Sequence, residues 1–256
     1  MNRKYLCCVH NGKIIKGYIE DENVFPINGE FWEDFIVAGE KFPVFEIEEW
    51  LAPVNPSKLI AIGLNYRAHA AEANLQISKE PISFLKSTTS LSGHKADIIY
   101  PVGLTNIVDY EAELAVVMGK HTYKVKENEA LDYVFGYTCA NDVSARDIQK
   151  RDGQWMLAKS FNTFTPLGPW IVSGISPLDL RVVARLNGET RQDSSTSDMI
   201  FSVPYLIHFL SQVMPLLPGD VIITGTPSGV GRLKEGDKIE IEVENIGTLS
   251  NTVRLP

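Results

Sequence analysis

The chain has 256 residues, a mass of 28.5 kDa and a formal net charge of −8 from 24 basic and 32 acidic side chains. That length fits one large domain, or a domain with a small appendage, and scaling laws give it a folded surface of about 11,000 Å², enough burial for a proper core. An apolar content of 44% with 22% charge excludes disorder, and the acidic excess argues against nucleic acid or an anionic membrane as partner.

No apolar run approaches the ~18 residues that span a bilayer, and MNRKYLCCVHNGK carries no stretch that reads as a signal peptide. Three cysteines make no disulfide framework, and no C-x-x-C pair offers a zinc site. The expectation is a soluble cytoplasmic protein with small buried thiols.

Residues 1–55 read as a small separate α+β unit, and 56–256 as the main body. Tyr5 to Val9 and Lys13 to Ile19 flank Asn11-Gly12, a hairpin signal. Phe31 to Ala38 and Ile47 to Leu51 are predicted as short helices. Ala52-Pro53-Val54-Asn55-Pro56 is a connector.

In the body, 58–63 and Ile82 to Lys86 are predicted strands, with a helix over Asn65 to Asn74 between them. Tyr110 to Met118 and Val134 to Val143 are longer strands. Ser144 is the predicted cap of a helix over Ala145 to Lys150. Trp170 to Ser173, Asp179 to Leu186, Asp220 to Thr224 and Lys238 to Glu244 are strands, Asn187-Gly188 a turn, and Val203 to Met214 a helix. Strands outnumber helices without regular alternation, so the predicted class is α+β, mostly β.

Asp109-Tyr110-Glu111-Ala112-Glu113-Leu114 is the most informative stretch. In a strand Glu111 and Glu113 share a face, roughly 6.6 Å apart at the backbone. A solvated face is the ordinary explanation of Glu-x-Glu, but here apolar residues follow on both faces, so the strand enters a core just after the acids. Two carboxylates about 5 Å apart repel by roughly 3 kcal/mol at an effective dielectric near 20. A semi-buried pair calls for a cation or a proton, and oxygen donors suit Mg²⁺, Mn²⁺ or Ca²⁺. Asp142, at the end of the next apolar strand, is either a third carboxylate of that set or a helix N-terminal partner.

His69 and Glu72 share a helix face, either as a surface pair or as a base with its orienting carboxylate. Lys159 follows the apolar run Trp155-Met156-Leu157-Ala158 and suits a partly buried ammonium beside the acids. Lys86 is expected as a solvated lysine, with a neutralising role at the rim like that of Lys159 as the alternative. The run Gly225 to Gly231 lacks the G-K-[ST] of a nucleotide loop. It reads as a tight turn offering N–H groups and the Thr226 hydroxyl to a carboxylate.

Five ordered blocks resemble the fumarylacetoacetate hydrolase family, in its short cytoplasmic divalent-metal branch. They are IGLNYRAHAAE (62–72), PISFLKSTTSL (81–91), DYEAELAVVMG (109–119), NDVSARDIQKRDGQWMLAKSFNTFTPLGPW (141–170) and LLPGDVIITGTPSGVG (216–231). The resemblance spans roughly 58–254. It implies a mixed β-roll catalytic domain, a homodimer, and Mg²⁺ or Mn²⁺ held by Glu111, Glu113 and Asp142. It implies His69 and Glu72 as a catalytic dyad on a mobile lid, and Lys159 facing the substrate's oxo or enolate oxygen. Arg146, Gln149 and Thr226 match positions that contact a substrate carboxylate. Two departures stand out: Asn162 replaces the more usual Asp, and His94-Lys95-Ala96-Asp97 replaces a Gly-Pro-rich loop, with an expected effect on the pocket mouth.

The implied activity is metal-dependent C–C cleavage of a small anionic 2-oxo acid through its enolate, by acylpyruvate hydrolysis or oxaloacetate decarboxylation. The alternatives are an isomerase or tautomerase of a 2-oxo or 2-hydroxy-dienoate diacid, and a non-catalytic metal-binding β protein.

Overall fold

The computed structural model describes residues 2–72 and 74–256 and exposes 11857 Å² of surface. The first strands are β1 (Lys4–His10), β2 (Lys13–Glu20) and β3 (Asn23–Asn28). Asn11 and Gly12 both take positive φ, +50° and +67°, which closes the β1–β2 hairpin with His10 opposite Lys13.

The two helices predicted in this region are absent. Ile36–Val37 is a two-residue strand beside β3, and Glu49–Leu51 pairs with β1, Cys8 opposite Trp50. Their aromatic and β-branched side chains settle on sheet edges rather than on helical faces.

The body continues with β4 (Leu59–Gly63), helix α1 (Arg67–Glu72), β5 (Ile82–Lys86), β6 (Val108–Tyr110), β7 (Ala112–Met118) and β8 (Val134–Asn141). Helices α2 (Arg146–Arg151) and α3 (Met156–Lys159) lead into β9 (Thr165–Val172), β10 (Arg181–Leu186) and β11 (Glu189–Ser195). Helix α4 (Val203–Val213), β12 (Val221–Ile223), β13 (Gly231–Arg232), β14 (Lys238–Val243) and β15 (Gly247–Arg254) complete the chain. The α1 prediction ran from 65 to 74; of that span Ala73 lies outside the described residues, and the helix begins only at Arg67. Helix α4 forms where Ser202 caps the Tyr205 N–H at 3.3 Å, and it buries Val203, Leu206, Ile207 and Leu210 at helical spacing.

The large sheet has the central order β3-β2-β1-β9-β8-β7-β12-β4-β5. β1 joins it through β9, with Lys4 opposite Val172 and Tyr5 opposite Ile171. The boundary drawn at residue 55 therefore falls within one hydrogen-bonded sheet. A second sheet runs Asp97–Ile99, β15, β14, β10, β11, and β6 lies between Ser144–Ala145 and β13 in a small third one. The fold is mostly β, as predicted.

All seven residues of β7 are buried. Leu114, Val116 and Met118 face one core, shared with Ile239 and Ile241 of β14 and with α4. Ala115 and Val117 face another, shared with Tyr5, Cys7 and Phe31. Glu113 thus sits at the end of a strand sealed on both faces. Cys7, Cys8 and Cys139 are free and buried. Among the described residues no helix is long and apolar enough to cross a membrane.

Candidate active site

The predicted strand Tyr110 to Met118 breaks at its first acid. Glu111 lies between β6 and β7, which belong to different sheets. Its N–H donates to Asn141 Oδ1 at 3.0 Å rather than to a ladder partner, and its carbonyl accepts the Asp142 N–H at 3.0 Å. Those two bonds join the start of β7 to the end of β8. Asp142 is the first residue beyond β8, not within a strand reaching Val143.

As a result Glu111, Glu113 and Asp142 converge, with ligand oxygens all within 4.8 Å of one another and all three residues buried. Ser144 does not cap the following helix. Its hydroxyl donates to the Asp142 carbonyl at 2.8 Å, and α2 starts without a side-chain cap.

Three cations neutralise the cluster. Lys159 on α3 donates to Glu111 Oε2 at 2.9 Å and Asp142 Oδ2 at 2.6 Å. Arg146 on α2 bonds Asp109 Oδ2 at 2.8 Å, pairs with Glu111, and donates to Gln149 Oε1 at 2.5 Å. Lys86 is no solvated rim lysine: it is buried, pairs with Asp142 Oδ1 and donates to the Phe164 carbonyl at 3.0 Å. The β-strand alternation in β5 points it inward, where a lone ammonium would be costly without those partners.

Were all of them ionised, four carboxylates, counting Asp109, would meet three cations and leave one negative charge over. Burial works to raise the Glu111 pKa, but Lys159 and Arg146 outweigh it and hold it at about 2. Glu113 goes the other way. Burial first, then Asp142 and Glu111, push it well above the carboxylate range. Burial opposes the charge on Lys159, yet Asp142 and Glu111 hold its pKa up.

The segment after β12 closes the site from behind. Gly225, at φ +97°, donates its N–H to Glu113 Oε2 at 2.5 Å, and a Cβ there would stand 2.7 Å from Asn65 Cβ. Gly229 donates to Glu72 Oε2 at 3.1 Å. These N–H groups, expected to face a ligand, are held by the chain's own carboxylates. The Thr226 hydroxyl likewise gives its proton to the Ala112 carbonyl at 2.9 Å. Gln192, which sequence reasoning missed, braces this loop. Its Nε2 donates to Thr226 Oγ1 at 2.9 Å and the Pro227 carbonyl at 2.8 Å, while its Oε1 accepts the Ala112 N–H. No motif marks it; only the approach of β11 does.

His69, Glu111, Asp142, Arg146, Gln149, Lys159 and Thr226 line one cleft of about 760 Å³. Glu113 and Glu72 are not part of that lining. His69 Nδ1 lies 3.4 Å from Glu72 Oε2 on α1. Leu64, Leu75, Ile82, Trp155 and Val230 form an apolar wall. The 94–97 loop is elsewhere: His94 packs on Trp50 and accepts the Ser250 N–H at 3.1 Å, so it does not shape this mouth. Asn162 is exposed.

Three carboxylates within 4.8 Å, one of them resisting ionisation through burial and then through the other two, form a group that fits a hard divalent cation. The family model described as fumarylacetoacetate (FAA) hydrolase C-terminal matches residues 58–254. The chain belongs to the fumarylacetoacetate hydrolase family.

Its relatives span several chemistries. Oxaloacetate tautomerase YisK of Bacillus subtilis is 47% identical over 216 residues, 79% of this chain and 72% of that one. The structure of a 5-carboxymethyl-2-hydroxymuconate delta-isomerase from Mycobacterium smegmatis superposes at TM-score 0.92 with 38% identity, covering 99% of this chain and 100% of the other. Fumarylpyruvate hydrolase from Pseudomonas aeruginosa, in complex with Mn²⁺ and pyruvate, gives 0.75 and 28% over 86% of this chain and 93% of its own. The family fold and an enzymatic character follow from these likenesses.

Proposed function

We propose that this protein binds a small 2-oxo acid and moves a proton at its C3 carbon, interconverting keto and enol forms. The observation that carries this reading is a single cleft lined by Glu111 and Asp142 of the buried carboxylate trio, the Lys159 ammonium and His69. The relative named oxaloacetate tautomerase supports it. Glu111, Glu113 and Asp142 would hold Mg²⁺ or Mn²⁺, as the Mn²⁺ of the hydrolase neighbour suggests. Such an ion, when bound, supplies positive charge that polarises an oxo oxygen.

The chain's own groups do the rest. Lys159 has three donors, two of them directed at Glu111 and Asp142, and the third is available to the oxygen on which negative charge develops. Glu72, near Nδ1 of His69, keeps the proton on that nitrogen and leaves Nε2 as the acceptor for the C3 proton. Arg146 uses one N–H each on Asp109, Glu111 and Gln149, so its remaining donors can meet the substrate's carboxylate. The apolar wall limits water around the developing charge.

A second reading is C–C cleavage, by hydrolysis or decarboxylation, which the sequence motifs place first. Its product is a C2–C3 enolate of the same kind, that of pyruvate after the C3–C4 bond breaks, and His69 would activate water in the hydrolytic case. The hydrolase neighbour favours it.

The test follows C3 proton–deuterium exchange by NMR, with Mn²⁺ present, on oxaloacetate and acetylpyruvate, while watching for pyruvate. His69→Ala is expected to slow exchange by about 10²–10⁴-fold. Exchange at the uncatalysed rate in the parent protein would reject the proposal, and pyruvate released as fast as exchange would favour cleavage.

A further inference from the structure

Three cations line the cleft: Arg146, Lys150 and Lys159. Two are already matched. Arg146 is held by Asp109 and Glu111, and Lys159 by Glu111 and Asp142. Lys150 is exposed and, among the described residues, forms no ion pair. It stands on α2 four residues after Arg146, so both project from one face, about 6 Å apart along the axis. That rise is close to the length of a four-carbon acid.

The apolar part of the lining is Leu64, Leu75, Ile82, Trp155 and Val230. None of these side chains carries a positive charge, and only the Trp155 indole N–H can donate a hydrogen bond. The loop at 225–231 has given the N–H groups of Gly225 and Gly229 to Glu113 and Glu72. In the proposed binding mode the first carboxylate takes the remaining donors of Arg146, beside Gln149. A second, distal carboxylate has one cation left to meet it.

We infer that Lys150 is the residue that recognises the distal carboxylate of a dicarboxylic 2-oxo acid, so that the cleft selects diacids over monoacids of the same length. The inference rests on the proposed 2-oxo acid chemistry and adds the residue that sets its specificity. The apolar wall strengthens the selection, because a carboxylate pressed against it without Lys150 loses hydration and gains nothing in return.

The natural comparison is oxaloacetate against 2-oxobutanoate, alike except for a carboxylate or a methyl group at C4. With Mn²⁺-loaded protein, C3 exchange is measured on both acids for the parent, Lys150→Met and Lys150→Arg. The parent is expected to favour oxaloacetate in kcat/KM. Lys150→Met is expected to lower that preference about tenfold, through KM rather than kcat, as for the loss of one hydrogen bond to a charged group. Lys150→Arg is expected to restore most of it. An unchanged preference in Lys150→Met, or an equal loss for both acids, overturns the assignment.

Calorimetric binding of malate and 2-hydroxybutanoate provides a readout that needs no turnover. If neither oxo acid exchanges in the parent, the proposed reaction fails while the role of Lys150 is still decided. Malate binding weakened about tenfold in Lys150→Met, with 2-hydroxybutanoate unmoved, upholds it. Equal binding of malate by parent and variant rejects it.

Discussion

Replacing Glu113 by glutamine is expected to make the metal-free protein more stable and its metal affinity worse. Glu113 has almost no contact with solvent, at 1% exposure, and its two like-charged neighbours have oxygens within 4.8 Å. At an effective dielectric near 20, each such neighbour costs about 3.5 kcal/mol. Attraction to Lys159 offsets about one of the two, so ionising Glu113 in the fold costs about 3 kcal/mol. At pH 7 the parent carries a cost of that order either as repulsion or as a proton that its unfolded chain does not hold, and glutamine carries neither. Glutamine keeps the shape, and its carbonyl oxygen still accepts the Gly225 N–H, so no cavity or orphaned donor offsets the gain.

For a chain of this size about 3 kcal/mol corresponds to roughly 6–12 °C in Tm. The assay is thermal unfolding in EDTA at pH 7, followed by Mn²⁺ titration. The variant should melt higher than the parent in EDTA. Its Mn²⁺ affinity should fall by at least about a hundredfold, with the loss of one anionic ligand. The order should then reverse with Mn²⁺ in excess, when binding stabilises mainly the parent. A variant that melts lower in EDTA would refute the electrostatic account. Unchanged Mn²⁺ affinity would remove Glu113 from the proposed ligand set.

Gly229→Ala is expected to destabilise the fold by about 2–4 kcal/mol, because a Cβ would fall 2.1 Å from the Arg191 carbonyl oxygen at a φ of +93°. Urea unfolding measures the loss, and hydrogen exchange at 225–231 should rise with it; parental stability would show that the loop yields easily. His94 gives a pH signature. Burial first, then Lys95 and Lys238, lower its pKa from 6.5 to about 4, so it is neutral in the fold. Its contribution is intact above pH 6.5 and is lost as pH falls towards 4, because the unfolded chain takes up the proton first. With allowance for its partial exposure the loss is about 2 kcal/mol. His94→Gln should flatten that part of the stability–pH curve, and an unaltered slope would show that other groups set it.

Much of the fold was legible in the chain. The hairpin at Asn11-Gly12, the apolar strands, helix α4 and the mostly-β class follow from turn chemistry and hydrophobic periodicity, which act locally. The short predicted helices at 31–38 and 47–51 failed because those segments are too short for propensity to decide. Pairing with β3 and β1 satisfies their main-chain groups better. Strands β11 and β15 have mixed polar patterns and were not anticipated; their partners define them.

The site shows the same division. Sequence spacing and motif order singled out Glu111, Glu113, Asp142, Lys159 and His69, because residue type and local alternation carry that signal. Only the tertiary structure decided that the chain breaks at Glu111, that Lys86 is buried against Asp142, and that Gln192 reaches in from β11. It also decided that the Thr226 hydroxyl and two glycine N–H groups are already taken. Each of these depends on which distant atom lies within about 3 Å of a polar group. A linear sequence encodes the groups, but the register of sheets that join residues a hundred positions apart determines which of them meet.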